Sequence, residues 1–396
     1  MTHWFNPLPL EDIHQQLLDS LVHGSCKWLF DRDRFTFWKS ADKIHDRYRM
    51  LWIIGKAGVG KTHLAARVIE VLKEQSANKL AYFYCDAKDD RRGSVIAILR
   101  NWTWQLLQQD PVLLDDVIPI IEKKQLPSQT ALEDVLSTTL QRLRDVILVV
   151  DGFDECDTQE QVKLYRVLAR FSQDARVLVF RRSVNFLSKV LFPEECFILY
   201  HITEDDNSAD IHRYIDEAVT DLVIDDDNIR KTIDAALRSG ANGMFLWVAL
   251  MIEELRKPLF SDDDYLETLK YLPEDLNMLY TRILRGLSSH PRDISTSSSL
   301  MQLITCARRP LTLYEVGASM KATVGGTELN ASALSEERLR QTVLHYCGPL
   351  VTIHKRPGNY STVTLVHSTL KEFLLEPQDA DAQTPFKINE GHAHLA

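Results

Sequence analysis

One octapeptide constrains this chain of 396 residues more than any other feature. The sequence Gly55-Lys56-Ala57-Gly58-Val59-Gly60-Lys61-Thr62 has the form GxxxxGKT, with an apolar run before it (Met50–Ile54) and a helical pattern after it. Glycines allow a loop to wrap so that backbone N–H groups point at phosphate oxygens, and the positive end of the next helix faces the same oxygens. Lys61 would neutralise the β- and γ-phosphates of a nucleotide, and the Thr62 hydroxyl would bind Mg²⁺. The octapeptide and the adjacent His63 therefore predict a nucleotide-binding site.

A second motif is an aliphatic segment that ends in acidic residues, Val146-Ile147-Leu148-Val149-Val150-Asp151-Gly152-Phe153-Asp154-Glu155. We expect this segment to be a strand beside the strand that precedes the phosphate loop. Asp151, at its end, is predicted to order the ligands of Mg²⁺ together with Thr62. Either Asp154 or Glu155 would position or deprotonate the water that attacks the γ-phosphate, and the residue pattern leaves the choice between them open.

Apolar runs alternate with helical patterns between the phosphate loop and residue 180. Further strands are predicted over 80–85 and 177–180, and helices over 63–74, 94–109 and 131–144. Continuous aliphatic strands that alternate with helices are typical of a parallel sheet covered on both faces. The fold class is therefore α/β, a P-loop NTPase with a parallel sheet.

The pattern changes after residue 203, where strand signals fade and helices follow one another. Pro273 is expected in the first turn of a helix that ends near Gly286, and residues 290–299 are expected to form a polar loop. Two short apolar runs, 350–353 and 362–366, predict a β-hairpin. Helices followed by a terminal hairpin are the outline of a helical domain and a winged-helix domain.

Charge and apolar content exclude several classes of protein. The chain has 46 Lys and Arg against 56 Asp and Glu, a net charge of −10, which argues against a domain that binds nucleic acid mainly through its phosphates. No apolar run approaches the roughly 20 residues of a membrane span, and no secretory signal pattern opens the sequence. The six cysteines have no zinc-type spacing. We expect a cytoplasmic protein with reduced thiols and no membrane partner.

Five further segments, taken in their order, carry a specific resemblance. They are residues 23–29, 242–248, 272–276, 309–313 and 366–368. Together with the Asp-Gly-Phe-Asp-Glu sequence after the aliphatic strand, they resemble the fungal NACHT proteins of the heterokaryon-incompatibility type, a branch of the signal-transduction ATPases with numerous domains. The resemblance spans about residues 20–375.

The resemblance implies a switch that binds ADP at rest, exchanges it for ATP and then self-associates, with slow hydrolysis as the reset. It places His367 at the β-phosphate of ADP; the alternative is a capped or packed histidine that follows a strand. It makes Arg182 the sensor of the γ-phosphate, although Phe180, Arg181 and Ser183 depart from the family's pattern there. The implied cofactors are ATP or ADP and Mg²⁺.

The expected organisation is a lead-in segment over 1–46, a NACHT P-loop NTPase domain over 47–203, a helical domain over 204–260, a winged-helix domain over 261–376 and a flexible tail over 377–396. Effector and repeat domains typical of the family have no room in the chain, so we expect a fragment or protein partners in trans. Two other functions compete with the switch. One is a working AAA-like ATPase, and the other is a non-enzymatic interaction remnant in which the nucleotide is structural.

Overall fold

The computed structural model describes residues 2–40, 49–74, 79–124, 127–182, 197–224, 226–256, 262–287, 291–323, 335–355, 360–376 and 386. The chain forms two compact units, Met1–Tyr214 and Ile215–Ala396. Across the ranges described, no helix combines the length and apolar character that a membrane span requires. The predicted tail over 377–396 lies outside the described residues apart from Phe386. The predicted domain boundaries stay predictions.

The first unit is built on a parallel sheet, as the aliphatic runs predict. Its strands lie in the order β2-β3-β4-β1-β5, and every neighbouring pair is parallel. They are β1 (Met50–Ile54), β2 (Lys79–Tyr84), β3 (Val146–Asp151), β4 (Arg176–Arg181) and β5 (Ile198–His201).

The position predicted for the acid-terminated strand is wrong. β3 does not lie beside β1, because β4 pairs with both of them and lies between. The reason is that β1, β3 and β4 are all mainly apolar and buried on both faces. Such strands carry no residue pattern that distinguishes one neighbour from another.

Helices cover the sheet and connect its strands. The helix predicted over 94–109 is confirmed: it begins after Ser94, whose side chain caps it by accepting a hydrogen bond from the N–H of Ala97, and it buries Trp102 completely. The helices of this unit are α1 (Thr2–Phe5), α2 (Leu10–Asp19), α3 (Asp33–Ser40), α4 (Lys61–Glu74), α5 (Val95–Gln109), α6 (Leu114–Lys124), α7 (Gln129–Arg142), α8 (Thr158–Phe171) and α9 (Glu204–Thr220), the last of which continues past Tyr214.

A buried polar network joins the amino-terminal helix α2 to α4 and β2. His14 is 1% exposed; its Nδ1 lies 2.8 Å from the Tyr84 hydroxyl and its Nε2 lies 3.2 Å from Glu70. Nearby, Lys73 donates to Glu11 at 3.0 Å. Burial lowers the pKa of His14, and the positive charge of Lys73 acts in the same direction, against the hydrogen bond to Glu70. The lead-in is therefore packed on the helix that follows the phosphate loop.

This network predicts a pH dependence of stability. The pKa of His14 is lower in the folded chain than its ordinary value of 6.5, which applies in the unfolded chain. As the pH falls through 6.5, the unfolded chain therefore binds more protons at His14 than the folded chain does. The free energy of unfolding should therefore fall as the pH decreases from 7.5 to 5.5. Denaturant unfolding at several pH values measures this slope, and His14→Gln should reduce it. An identical slope in the variant would show that His14 does not cause the pH dependence of stability.

The second unit combines helices with a small antiparallel sheet of order β6-β8-β7. The predicted hairpin is confirmed by β7 and β8, whereas the two-residue β6 is too short to show an alternating pattern in the sequence. The elements are α10 (Asp227–Gly240), α11 (Phe245–Leu255), α12 (Asp262–Lys270), α13 (Leu276–Gly286), α14 (Pro291–Cys306), β6 (Leu311–Thr312), α15 (Leu313–Thr323), α16 (Glu336–Cys347), β7 (Val351–His354), β8 (Thr362–Leu365) and α17 (Ser368–Leu375).

Two local predictions in this unit are wrong. The polar loop expected over 290–299 is helical from Pro291 as part of α14, since burial of Thr296 and Ser297 outweighs the weak helix propensity of a Ser/Thr-rich stretch. Pro273 precedes α13 rather than opening it. The helix begins after Asp275, whose carboxylate accepts the Met278 N–H at 2.8 Å.

Candidate nucleotide-binding site

The phosphate loop lies between the end of β1 and the start of α4. Its backbone has positive φ angles at Gly58 (73°) and Gly60 (90°), a region that glycine enters without steric cost. A Cβ atom at Gly55 would lie 2.9 Å from the Val59 side chain, so close packing also demands a glycine at that position. The loop therefore has the tight path that a phosphate cradle needs.

Lys61 reaches back over this loop. Its Nζ donates to the carbonyls of Gly55 (2.9 Å) and Lys56 (2.8 Å). Burial lowers the pKa of Lys61 to about 8, against the attraction of neighbouring carboxylates, of which Asp154 is the strongest. The Lys56 side chain is instead 71% exposed, so Lys56 takes part in the site through its backbone carbonyl, which accepts the hydrogen bond from Lys61. Phosphate oxygens above the loop would give the Lys61 ammonium anionic acceptors in place of neutral carbonyls.

Thr62 and Asp151 meet at the same edge of the sheet. Asp151 ends β3, is 3% exposed and accepts a hydrogen bond from the Thr62 hydroxyl. Burial raises the pKa of Asp151 to about 7, and the negative charge of Glu155 adds to this effect. The described residues contain no cluster of three or more His, Cys, Asp or Glu suited to a metal. One hydroxyl and one carboxylate nevertheless fit Mg²⁺, which keeps several waters and takes other oxygens from phosphates.

The two remaining acids of the motif have different partners. The Asp154 carboxylate accepts the backbone N–H of Arg182 at 2.8 Å and its Nε–H at 2.7 Å. Glu155 accepts the backbone N–H of Ala87 at 2.9 Å. Burial raises the pKa of Glu155, and the charge of Asp86 acts in the same direction. Asp154, Glu155 and Arg182 thus lie together near Lys61.

The turn between Asp151 and Asp154 depends on a glycine. Gly152 has a φ of 73°, and a Cβ atom there would lie 2.9 Å from the carbonyl oxygen of Cys85.

The Cys85 and Cys156 sulfurs are 3.6 Å apart and both side chains are buried, which raises the pKa of Cys85 well above its ordinary value. The described cysteines are free thiols, as predicted. A buried neutral thiol is unreactive, so this pair serves as packing beneath the acidic turn.

Gly152→Ala is expected to lower the free energy of unfolding by about 2 kcal/mol or more, because alanine is strained at this φ and its Cβ would collide with a backbone oxygen. Gly93→Ala is the matched control. Gly93 has a φ of −106°, and a Cβ atom there has no neighbour within 4 Å. The control should change stability by less than about 0.5 kcal/mol. Denaturant unfolding measures the free energy of unfolding of both variants. If both change it by the same small amount, the backbone at Gly152 does not require a glycine.

Sequence reasoning missed two residues of α9 that support the site. The Asn207 amide donates to the Val59 carbonyl at 3.2 Å, and Asp210 accepts the Cys26 N–H at 2.7 Å. Cys26 has a positive φ of 59°, so the Asp210 hydrogen bond stabilises an unusual backbone conformation in the lead-in. No short motif surrounds either residue. Only their proximity to the loop and the lead-in identifies them.

Two histidines of the predicted site have local partners. His63 Nε2 lies 3.0 Å from the Ser20 hydroxyl, which ties its ring to the lead-in rather than to the phosphate loop. His367, in the second unit, caps α17: its Nδ1 accepts the Thr369 N–H at 3.2 Å. This helix-capping role of His367 was not predicted from the sequence. Its role at the β-phosphate stays a prediction.

Comparisons with known proteins agree with this architecture. Residues 24–183 match the protein-family model described as Nephrocystin 3, N-terminal, and residues 290–389 match the model described as GPI inositol-deacylase, winged helix domain. The vegetative incompatibility protein HET-E-1 of Podospora anserina is 26% identical over 371 residues, which are 90% of this chain and 26% of that protein. The chain thus spans about a quarter of the length of this relative. These matches confirm the resemblance to fungal NACHT proteins of the heterokaryon-incompatibility type.

Similar solved structures include Drosophila ORC bound to DNA, with a TM-score of 0.37, 12% identity and coverage of 93% of this chain and 91% of that one. AMPPCP-bound DnaA from Aquifex aeolicus has a TM-score of 0.36, 14% identity and coverage of 83% and 93%. Both TM-scores are low, so these structures superpose only loosely on this chain. The α/β class therefore rests on the parallel sheet of this chain, and the winged helix on its own family match.

Proposed function

We propose that this chain, which is similar over 90% of its length to a fungal incompatibility protein, is an ATP- and ADP-binding signalling switch. Nucleotide exchange and slow hydrolysis would control its conformation and its self-association. One observation carries the proposal. A single edge of the parallel sheet collects a half-buried lysine at a glycine-rich loop, a hydroxyl–carboxylate pair and an arginine held by an acid.

Each of these groups has a role in the proposal. Lys61 binds the β- and γ-phosphates, whose charge replaces the loop carbonyls as its acceptor. Thr62 and Asp151 hold Mg²⁺, which when bound would neutralise phosphate charge. Arg182 responds to the γ-phosphate, and so distinguishes ATP from ADP. A ligand shifts a conformational equilibrium only through such differential contacts.

The contacts of the acids favour a switch over a fast ATPase. Asp154 is paired with Arg182, and Glu155 accepts the N–H of Ala87. Rapid hydrolysis needs a carboxylate aligned on a water beside the γ-phosphate. Because Asp154 is held in an ion pair with Arg182, that contact must open before Asp154 can act on a water, which supports slow turnover. ATP-dependent self-association and protein partners in trans would then supply the output.

The first test is to denature the purified protein and identify any released nucleotide by chromatography. We expect close to one equivalent of ADP, exchangeable for ATP, with a change in assembly measured by light scattering. A protein that contains no nucleotide and binds neither ATP nor ADP on titration would overturn the proposal. Turnover above about 1 s⁻¹ would favour the AAA-like ATPase. Tight binding with no change in shape or assembly between ADP and ATP would favour the interaction remnant.

A further inference from the structure

Strand β2 lies at one edge of the parallel sheet, where it pairs with β3 on a single side. In a parallel ladder, alternate residues direct both the N–H and the C=O group to the same side of the strand. Leu80 and Tyr82 direct theirs away from β3, toward helix α5. Unpaired groups of this kind are a template on which another chain can add a strand. The fate of these four groups therefore decides whether the edge is open.

Two glutamines of α5, here called the amide pair, bind all four outward groups. Gln105 accepts the Tyr82 N–H through Oε1 at 3.0 Å and donates to the Tyr82 carbonyl through Nε2 at 2.9 Å. Gln109 binds Leu80 in the same way, accepting at 3.1 Å and donating at 2.6 Å. A side-chain amide has the same kinds of donor and acceptor as a peptide group. Each glutamine thus pairs with β2 as a residue of a neighbouring strand would.

The spacing of the amide pair matches the strand. Residues four apart in an α-helix are separated by about 6 Å along the helix axis, and alternate residues of a strand by about 6.6 Å. Trp102 holds α5 in place, since its side chain is completely buried and its ring N–H donates to the Val149 carbonyl at 3.3 Å. The helix therefore stays docked along the strand without requiring the amides.

The sequence of β2 makes an open edge hazardous. Its six residues, Lys79-Leu80-Ala81-Tyr82-Phe83-Tyr84, contain three aromatic side chains, one charge and neither glycine nor proline. Short segments of this composition form intermolecular β-structure when they are exposed. The opposite edge, β5, is covered differently, because Arg34 of α3 donates to the Leu199 carbonyl. The amide pair covers the edge that is longer and more prone to pairing.

We infer that Gln105 and Gln109 close the β2 edge in place of a sixth strand, and that they prevent a second copy of this chain from adding its own β2 there. Two identical edge strands satisfy each other's outward groups in a symmetric pair, which makes a second copy the natural partner of an open edge. The closure is a property of the fold and does not depend on bound nucleotide.

Hydrogen exchange of single backbone amides tests the pairing on the full chain. In the parent protein, the amide hydrogens of Leu80 and Tyr82 should exchange as slowly as those within β3, although β2 is an edge strand. Methionine has nearly the length of glutamine but lacks its amide. Gln105→Met should accelerate exchange at Tyr82 by about fivefold or more and leave Leu80 nearly unchanged. Gln109→Met should have the opposite selectivity.

Gln108→Met is the matched control. Gln108 is exposed and lies about 100° around the helix from Gln109, so its replacement should accelerate neither amide. Rapid exchange of Leu80 and Tyr82 in the parent protein would overturn the inference without any variant. Equal acceleration of both amides in each single variant would also overturn it, because a general loosening of α5 gives that result.

The double variant Gln105→Met/Gln109→Met tests what the closure prevents. Its sedimentation velocity should show dimers and larger species at concentrations where the parent and Gln108→Met show none. A peptide with the sequence of residues 79–84, added in excess, should suppress this association by occupying the open edge. A double variant that exchanges both amides rapidly but sediments like the parent would refute the closure. Association that the peptide does not suppress would refute it too, since the β2 edge is then not the surface involved.

Repeating the sedimentation with and without ADP separates this inference from the proposed function. Association through the β2 edge should be the same in both conditions. A parent protein that binds no nucleotide would refute the switch and leave the edge closure standing. A parent protein that exchanges ADP for ATP, but whose Leu80 and Tyr82 amides exchange rapidly with solvent, would refute only the closure.

Discussion

Lys61→Ala is expected to weaken the binding of both ATP and ADP by about 100-fold or more. Of the two lysines in the loop, Lys61 has its ammonium directed at the loop itself, where it donates to the carbonyls of Gly55 and Lys56. Removal of the side chain loses charge-assisted hydrogen bonds to phosphate of about 1.5–3 kcal/mol each. Calorimetric titration of the two nucleotides measures the effect.

Lys56→Ala is the matched control, since it removes the same charge from the same loop. Its ammonium lies 3.4 Å from Glu204, and both side chains are exposed. An exposed pair of this kind contributes about 1 kcal/mol at most, so nucleotide affinity should change by less than about fivefold. If the two variants bind ATP and ADP as tightly as the parent, the site assignment is wrong. If they lose affinity equally, the loop attracts phosphate only by its net charge.

Glu155→Gln is expected to reduce ATP hydrolysis by about 10²- to 10⁴-fold and to leave ATP affinity nearly unchanged. A glutamine keeps the shape of Glu155 and its acceptor for the Ala87 N–H, but it cannot take a proton from water. The variant should therefore accumulate in the ATP state. Single-turnover hydrolysis measures the rate, and light scattering with ATP should show more self-association than in the parent.

The control for this change is Glu204→Gln, which neutralises an exposed acid near the same loop and should leave hydrolysis within about twofold of the parent. Normal hydrolysis by Glu155→Gln would remove the catalytic role from Glu155. Loss of ATP binding in that variant would instead mean that the Glu155 charge is part of the binding site.

Local sequence patterns predicted the glycine-rich loop and the strands β1 and β3. The glycine spacing of the phosphate loop requires particular backbone angles, and the structure has positive φ at Gly58 and Gly60. Aliphatic runs predicted β1 and β3 because a strand buried on both faces must be apolar throughout. These properties depend on residues that are neighbours in the chain, so the sequence can show them.

Failures arose where the outcome depends on distant residues. The helix that begins at Pro291 contains a Ser/Thr-rich stretch that local propensity assigns to a loop, but Ser297 is fully buried in its unit. Burial of a helix face against the rest of a domain outweighs differences in propensity of less than 1 kcal/mol per residue.

The amino-acid sequence alone thus established a glycine-rich phosphate loop, a strand that ends in acidic residues and the α/β fold class. Tertiary structure settled the strand order and the partners of the acids: β4 lies between β1 and β3, and this brings Arg182 to Asp154. The physical reason is that short-range spacing specifies backbone angles and apolar faces. The pairing of equivalent buried strands, and with it the contact between residues 28 positions apart, is decided by packing of the whole unit.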